Sequence, residues 1–338
     1  MNYKPPFEIT TTILNLVSQI SETLGQLKNI EATITTPQLR KINRIRTLVG
    51  TLQIEGNTLD EERMTALLEG KRVLGTKQEI TEAKGAIEAY NKLEILKYDS
   101  LDDLLEAHRI LMDKLLNKAG SFRLANVGVG SKSGVVHVAP PYDLVPSLMS
   151  DLFTWLKETD IHPLIVSCVF HYEFEFIHPF EDGNGRVGRL WQTLILYHWK
   201  ALFAYIPLES VVREKQDAYY EALEASGSMG KSTPFIEFML GAILETLETT
   251  PQAIPQDTPQ DDRLKKVLEF CSVPRSRKEI QAYVGMKDRK HFKEVVLDVL
   301  LADGYLEMTL PEKPQSPKQK YVEQKENYRK LHIKRKIK

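Results

Sequence analysis

Apolar residues recur at three- and four-residue intervals along much of the first 250 positions. The pattern is clearest in ILNLVSQISETLGQL, which spans residues 13–27, and in ITEAKGAIEAYNKLEIL, which spans residues 80–96. This spacing places apolar side chains on one face of a helix, so residues 8–98 are predicted to be mostly helical. Further helices are predicted over residues 101–116, 148–156, 163–176, 187–199, 211–226 and 234–246. The fold class that follows is mainly α.

One segment breaks the helical pattern. In FRLANVGVGSKSGVVHVAPP, residues 122–141, two valine-containing runs flank a polar turn sequence at residues 131–134, and two prolines close the segment. Short apolar runs on both sides of such a turn predict a β-hairpin. We therefore expect a short hairpin inserted into an otherwise helical region.

The composition changes after residue 248. TTPQAIPQDTPQDD, residues 249–262, is rich in proline and glutamine and has no apolar period, which is typical of a linker. Residues 263–323 show three short helical segments and two strand-like runs, GYLEMTL and KQKYV, a pattern that predicts a winged-helix domain. A basic tail, 324–338, follows. Ahead of the linker we distinguish an N-terminal helical region, 1–98, and a central domain, 99–248.

The net charge of −1 hides a strong asymmetry. Residues 263–338 hold 20 lysines and arginines against 10 acidic residues, whereas acidic residues are in excess in the remainder. A basic module of this kind suits nucleic acid or another polyanion, and the helix predicted over residues 289–302 would be the element that enters a major groove. Winged helices also contact proteins, so DNA is one of two partner classes for this domain.

Other features of the composition exclude several classes of protein. The two cysteines, Cys168 and Cys271, lie far apart in the chain, which argues against a disulfide framework and a zinc site. The N-terminus lacks the basic and apolar regions of a signal peptide. No stretch approaches the roughly 18 apolar residues that span a bilayer. We expect a soluble, cytoplasmic protein without a membrane partner.

The stretch HPFEDGNGRVGR, residues 178–189, concentrates residue types that bind phosphate. Gly183 and Gly185 flank Asn184, a spacing that lets backbone N–H groups turn toward one point, while Asn184 adds a side-chain donor. The apolar run that follows is long enough to form a helix, whose N-terminus attracts anions. A bound phosphate group is therefore the first hypothesis.

The charged residues of the same stretch extend this hypothesis. Arg186 and Arg189 are three positions apart, so on a helix they share a face and both reach one polyphosphate. Asp182 is placed to ligate a Mg²⁺ ion that bridges phosphates. His178 comes just before the turn and is a candidate general base for an incoming hydroxyl.

HPFEDGNGRVGR resembles the signature of Fic-domain proteins, H-P-F-x-D-G-N-G-R-x-x-R, at every fixed position. The resemblance extends over most of residues 1–250 and implies a mainly helical bundle with a β-hairpin flap. Most studied members of this family transfer AMP from ATP to a Ser, Thr or Tyr hydroxyl of a target protein. The resemblance implies that His178 deprotonates the hydroxyl and that Asp182 holds the metal ion. It also assigns phosphate binding to Gly183, Asn184, Gly185, Arg186 and Arg189.

Two further stretches resemble parts of the family's site. The hairpin around Val136 and His137 is similar to the flap that aligns a target segment by strand addition. YYEALEAS resembles the stretch that lines the adenine pocket, which makes Tyr219 and Tyr220 the candidates for that pocket. A family asparagine expected shortly afterwards is replaced here by Gly227.

A stretch in the N-terminal region resembles the family's inhibitory motif. In TLQIEGN, residues 51–57, Thr51 and Glu55 fill the fixed positions of [S/T]-x-x-x-E-[G/N], and Gly56 follows. By this resemblance the Glu55 carboxylate pairs with Arg189 and occupies the place of the ATP γ-phosphate. ATP then binds only in a pose that is wrong for transfer.

The sequence thus predicts an autoinhibited protein adenylyltransferase that uses ATP and Mg²⁺ and acts on a target protein or on itself. Three alternatives stay open. One is removal of AMP, with Glu55 positioning a water molecule. Another is transfer from a different phosphate donor, as in relatives that phosphorylate or transfer phosphocholine. The last is a DNA-binding regulator whose Fic domain senses nucleotide. Whether the chain forms a homodimer is also open.

Overall fold

The computed structural model describes residues 3–28, 37–131, 134–250, 266–286, 288–302, 304–314, 316 and 318–324. The chain divides into two compact units, Met1–Ile254 and Pro255–Lys338. Within the described ranges, no helix combines the length and the apolar character that crossing a bilayer would require.

The first unit is a helical bundle with one hairpin. Its α-helices, numbered in chain order, are α1 (Thr11–Lys28), α2 (Pro37–Ile54), α3 (Glu61–Leu68), α4 (Lys77–Tyr90), α5 (Leu101–Met112), α6 (Val145–Glu158), α7 (Pro163–Ile177), α8 (Asn184–Trp199), α9 (Leu208–Glu214), α10 (Gln216–Met229) and α11 (Thr233–Thr249). Short 3₁₀ helices, Tyr142–Leu144 and Ala201–Tyr205, precede α6 and follow α8. The predicted fold class is confirmed.

Polar residues fix where several of these helices begin. The side chain of Asp60 accepts a hydrogen bond from the backbone N–H of Arg63 at the start of α3. At the start of α4, Thr76 and Glu79 form a reciprocal capping box. Ser100 caps α5, as its position before Leu101 predicts. Such caps satisfy backbone N–H groups that have no partner inside the helix, and each typically stabilises it by about 1 kcal/mol.

The core is centred on α7 and α8. Most residues of both helices are buried, including the large side chains Phe170, Phe174 and Trp191. A helix that is apolar on nearly all sides belongs in the interior of a bundle. The two helices pack against each other, so both ends of the loop that joins them lie in the buried core of the unit.

The prediction of one continuous helix over residues 211–226 is wrong. The structure has two helices there, and α9 ends at Glu214 before α10 begins at Gln216. The reason is tertiary: α9 packs mainly on α2 and less on α11, whereas α10 packs mainly on α11. At the break, the side chain of Gln216 donates a hydrogen bond to the carbonyl of Ile54, 2.8 Å away.

The predicted hairpin is confirmed. Strands β1 (Gly128–Ser131) and β2 (Gly134–Val138) are antiparallel, with Gly128 opposite Val138 and Val129 opposite His137. The register shifts between Val129 and Gly130, which bends the ribbon locally. The tip of the predicted turn, at residues 132–133, lies outside the described residues.

The second unit has the predicted order of helices and strands with one addition. A helical stretch at 266–270 is followed by β3 (Arg275–Ser276), α12 (Arg277–Tyr283), α13 (Arg289–Phe292), a π-helical turn (Lys293–Leu297), α14 (Asp298–Ala302), β4 (Leu306–Met308) and β5 (Lys320–Glu323). The three strands pair antiparallel in the order β3-β5-β4, so the prediction of two strands missed β3. Most of the predicted linker and of the basic tail lies outside the described residues. The winged helix and its binding to DNA stay predictions.

Candidate functional site

The loop between α7 and α8 carries the phosphate-binding candidates. His178 ends α7 with left-handed backbone angles, φ 50° and ψ 59°, and Gly183 precedes α8 with φ 86°. A Cβ atom on Gly183 would lie 2.7 Å from the sulfur of Met112, so both the backbone angles and the space require glycine there. A non-glycine residue with positive φ, such as His178, is a strained position that its surroundings must hold.

The side chain of Asn184 closes this loop on itself. Its Oδ1 accepts a hydrogen bond from the backbone N–H of Phe180 at 2.9 Å, and its Nδ2 donates to the Phe180 carbonyl at 3.0 Å. Asn184 is 2% exposed. From the sequence, this amide was expected to donate to a phosphate; in the structure both of its polar atoms bond within the loop and set its shape.

A residue that the sequence analysis missed supports the loop from α5. The imidazole of His108 stacks on the ring of Phe180 with a centroid separation of 3.6 Å. Its Nδ1 accepts a hydrogen bond from the N–H of Gly120 at 2.8 Å, so Nε2 carries the proton and donates to the Asp182 carbonyl at 3.0 Å. Burial lowers the pKa of His108 to about 4, which keeps the ring neutral. In the sequence, His108 stands among the apolar residues of α5, and this position could have indicated a buried histidine.

Arg186 offers an unsatisfied guanidinium near the start of α8. The side chain is 4% exposed, and its Nη2 lies 3.3 Å from Oδ1 of Asp182. Its Nη1 lies 3.8 Å from Oε1 of Glu82, which is an ion pair but no hydrogen bond. Nε and Nη1 have no hydrogen-bond acceptor among the described residues. A buried cation with free donors is a ready partner for an anion.

Arg189 is held by the N-terminal region. Its Nη2 donates to Oε1 of Glu55 at 2.6 Å, and its Nε and Nη2 donate to the hydroxyl and carbonyl of Thr51, each at 3.1 Å. Burial lowers the pKa of Arg189, but Glu55 and the other acidic groups around it, Glu175 among them, together outweigh this and leave the pKa above its usual value. Thr51 and Glu55, which the sequence analysis singled out, are thus brought to the signature arginine.

Glu55 also reaches the first turn of α8. A Cβ atom on Gly185 would lie 2.5 Å from Oε1 of Glu55 and 2.9 Å from Nη1 of Arg189. Only glycine therefore admits the carboxylate at this point. The N-terminus of a helix carries partial positive charge, so the position of the Glu55 carboxylate beside the start of α8 would also suit a phosphate.

A second carboxylate that the sequence analysis missed lies close to Arg189. Burial raises the pKa of Glu175 to about 8; the charge of Arg189 acts in the opposite direction. Oε1 of Glu175 lies 3.8 Å from Nε2 of His171 and would lie 2.6 Å from a Cβ atom on Gly188. Burial lowers the pKa of His171 to about 3, so this pair is not held by charge. Acidic residues one turn before a signature histidine are the signal that was available.

The two candidates for the adenine pocket, Tyr219 and Tyr220, differ in their exposure to solvent. Tyr219 is buried, and its hydroxyl oxygen lies 3.1 Å from Nε2 of His171. Tyr220 is 47% exposed. The backbone of β2, which carries Val136 and His137, lies beside α10, the helix of both tyrosines. The side chains of Val136 and His137 lie outside the described set.

Asp182 is the candidate metal ligand. Its side chain is 60% exposed, and Oδ1 accepts a hydrogen bond from the N–H of Gly183 at 2.6 Å. Among the residues that the structure describes, no group of three histidine, cysteine or acidic side chains is arranged to hold a metal ion. An exposed single carboxylate suits a Mg²⁺ ion that takes its remaining ligands from water and phosphate oxygens.

Comparison with known proteins supports the relation that the motif predicts. Residues 98–196 match the model of the Fic/DOC family, and residues 262–322 match that of the filamentation induced by cAMP protein Fic-like C-terminal domain. The chain is 28% identical over 243 residues to protein adenylyltransferase Fic of Aedes aegypti, covering 69% of this chain and 45% of that protein. It is 31% identical over 201 residues to protein adenylyltransferase fic-1 of Caenorhabditis elegans, covering 56% and 37%. The chain thus spans less than half the length of these relatives.

Solved structures extend the likeness to nearly the whole chain. A Fic family protein from Desulfovibrio desulfuricans G20 is 43% identical, with a TM-score of 0.74, and the match covers 95% of this chain and 98% of that one. Fic-1 of C. elegans is 22% identical with a TM-score of 0.58, covering 73% of each chain. The second likeness concerns the fold alone.

Proposed function

Because the chain belongs to the Fic/DOC family, we propose that it is a protein adenylyltransferase. It transfers AMP from ATP to a Ser, Thr or Tyr hydroxyl of a target protein and releases pyrophosphate. The observation that carries this proposal is Arg186, a buried guanidinium whose Nε and Nη1 have no acceptor among the described residues. It lies on the first turn of α8, just after the loop that ends in Gly183.

The phosphates of ATP bind at this helix start. Backbone N–H groups around Gly183 and Gly185 and the dipole of α8 stabilise negative charge there. Arg186 supplies two directed donors, and each charge-assisted hydrogen bond is worth about 1.5–3 kcal/mol. Asp182 is the residue that holds Mg²⁺, and this ion neutralises phosphate charge when bound.

The reaction needs one base close to the phosphates. His178 accepts the proton of the target hydroxyl, whose oxygen then forms a bond to the α-phosphorus of ATP. The bond from this phosphorus to the bridging oxygen breaks, and the electron pair leaves with pyrophosphate. His178 is partly exposed at the end of α7, so an incoming side chain reaches it.

The N-terminal region restrains this activity. Glu55 lies 2.6 Å from Arg189 and fills space beside Gly185, so the γ-phosphate of ATP meets a like charge and an arginine that is already paired. The γ-phosphate must break a hydrogen-bonded ion pair that already compensates the buried charge of Arg189, which opposes its entry. The resting chain is therefore slow, and movement or loss of Glu55 activates it.

The test is incorporation of label from ATP carrying the label at either the α- or the γ-phosphate. The full chain and its Glu55→Gly variant are incubated with Mg²⁺ and each form of ATP, and protein-bound label is counted. We expect label from the α-position alone, and more in the variant. Label from the γ-position alone identifies a kinase and overturns the proposal.

A further inference from the structure

We infer that Arg123 is a positioning residue that fixes the general base His178 relative to both ends of the hairpin. The inference rests on the proposed function, since it concerns how the target hydroxyl and the base are aligned. Arg123 lies between α5 and β1, and the sequence analysis assigned it no role. It is 5% exposed.

The guanidinium of Arg123 bonds only to backbone carbonyls among the described residues. Nε donates to the carbonyl of His178 at 2.9 Å, and Nη1 donates to that of Ala125 at 2.8 Å. Nη2 donates to Pro140 and, at 3.4 Å, to Ile177. Three parts of the chain therefore meet on one side chain: the end of α7, the approach to β1 and the exit from β2.

The backbone of Arg123 adds a further connection. Its N–H donates to the carbonyl of Pro179 at 2.9 Å, so Arg123 contacts both residues at the turn after α7. No acidic side chain forms an ion pair with Arg123 in the part of the chain that the structure describes. Burial lowers the pKa of Arg123, and carbonyl dipoles are what compensate its charge.

The shape of the side chain explains why arginine is present. A buried charge is costly unless each donor is satisfied, and a planar fork with five N–H groups reaches several carbonyls in fixed directions. Lysine has a compact ammonium group and cannot span these carbonyls at once. Arg123 is therefore suited to fix the end of α7 relative to both ends of the hairpin. A positive charge alone would not do this, because the directions of the N–H groups matter.

The consequence concerns His178. Its left-handed backbone is strained, with the N–H bonded to the Phe174 carbonyl at 2.9 Å and the carbonyl bonded to Arg123. These two bonds set the direction in which the imidazole leaves the chain. Since Ala125 and Pro140 flank the hairpin, a target segment aligned by β2 is placed relative to the base through the same guanidinium. A displacement of about 1 Å costs on the order of 10²-fold in rate.

The experiment uses the full chain with Glu55→Gly as parent, and adds Arg123→Lys, Arg123→Gln or the exposed-site control Arg213→Lys. Initial rates of self-modification from α-labelled ATP and the dissociation constant of ATP are measured for each. We expect Arg123→Lys and Arg123→Gln to lower the rate by about 10- to 100-fold while ATP affinity stays within twofold, because the phosphate site is untouched. The control keeps the parental rate. A rate within twofold of the parent in a folded Arg123→Lys chain overturns the inference, as do equal losses of rate and ATP affinity.

A second measurement does not depend on activity. Amide hydrogen exchange is followed in Arg123→Lys at residues 124–128, 138–142 and 177–182, with α4 as an internal reference. We expect exchange to rise together in the three segments and to stay unchanged in α4. If exchange rises in one segment only, Arg123 has a structural role only and the inference is overturned. The same holds if both Arg123→Lys and Arg123→Gln fail to fold. A parent without α-label counts against the proposed function, and the exchange result still decides the role of Arg123.

Discussion

The Glu55 carboxylate lies 2.6 Å from the Arg189 guanidinium across a sequence separation of 134 residues. Glu55 follows directly after α2, and Gly56 with φ 86° turns the chain away behind it. Arg189 lies one turn inside α8, where Thr51 also accepts its N–H groups. A residue of the N-terminal region is thereby placed among the phosphate-binding candidates. We therefore expect the N-terminal region to control the access of phosphate to this site.

Replacing Glu55 with glycine is expected to increase transfer of AMP. The change frees Arg189 for the nucleotide and removes a like charge from the γ-phosphate position, while His178 and Asp182 stay untouched. The measurement is protein-bound label from α-labelled ATP without added target. Glu55→Gln keeps the volume and lacks the charge, so partial activation assigns part of the restraint to electrostatics.

The control for this prediction is the double variant Glu55→Gly, His178→Ala. Label that persists in it comes from another site or another protein. If Glu55→Gly incorporates no more label than the wild type at the same ATP and Mg²⁺ concentrations, then Glu55 does not restrain the enzyme.

Replacing His178 with alanine in the Glu55→Gly chain is expected to slow transfer by about 10²- to 10⁴-fold, the usual cost of losing a general base. ATP affinity should change little, because the base acts on the hydroxyl. Rates under single-turnover conditions and ATP titration give the two values. His162→Ala is the matched control, since His162 caps the opposite end of α7. Transfer within twofold of the parent would dismiss His178 as the base.

Replacing Arg186 with alanine is expected to weaken ATP binding by roughly 10²- to 10⁴-fold and to lower activity, because two charge-assisted hydrogen bonds are lost. Arg189→Ala should give a smaller net change, since it removes a phosphate contact and also the anchor of Glu55. Calorimetric titration with ATP compares both with Arg213→Ala, an exposed arginine. Full activity and unchanged ATP affinity in Arg186→Ala would contradict the phosphate assignment.

His108 is expected to make the first unit less stable on acidification, whereas the buried Glu175, whose pKa is raised to about 8, acts in the opposite direction. The pKa of this ring is lowered from 6.5 to about 4 by burial, so between these values the unfolded chain binds a proton that the folded chain does not. Stability therefore falls as the pH drops from about 6.5 to 4, by up to roughly 3 kcal/mol for this group. His171 acts in the same direction over a wider range, from about pH 6.5 down to pH 3, since burial lowers its pKa to about 3.

Tryptophan fluorescence during urea unfolding measures the stability of the first unit, because Trp155, Trp191 and Trp199 all lie there. His108→Gln keeps a polar side chain that cannot titrate, so the urea midpoint of the wild type should fall relative to that of this variant between pH 7 and pH 4.5. Parallel midpoint curves for the two chains would show that His108 does not contribute.

The periodicity of apolar residues was enough to predict most helices, and its interruption by turn residues was enough to predict the hairpin. These features depend on local spacing and on turn residues such as Gly134 and Pro140. The site loop was equally accessible, because HPFEDGNGRVGR keeps its functional residues within twelve positions. Where one local pattern suited two packings, as at Lys215 between α9 and α10, the prediction of a continuous helix was wrong.

The sequence by itself determined which residues are candidates to bind phosphate, to hold Mg²⁺ and to accept a proton, since those capacities belong to the side chains of one short stretch. Only the tertiary structure decided which of them are occupied. It brought Glu55 to Arg189, used the amide of Asn184 inside the loop, and placed His108 at the carbonyl of Asp182 and Arg123 at that of His178. The physical reason is that a buried donor takes whichever acceptor the packing of distant helices brings within about 3 Å, and that distance is not written in local spacing.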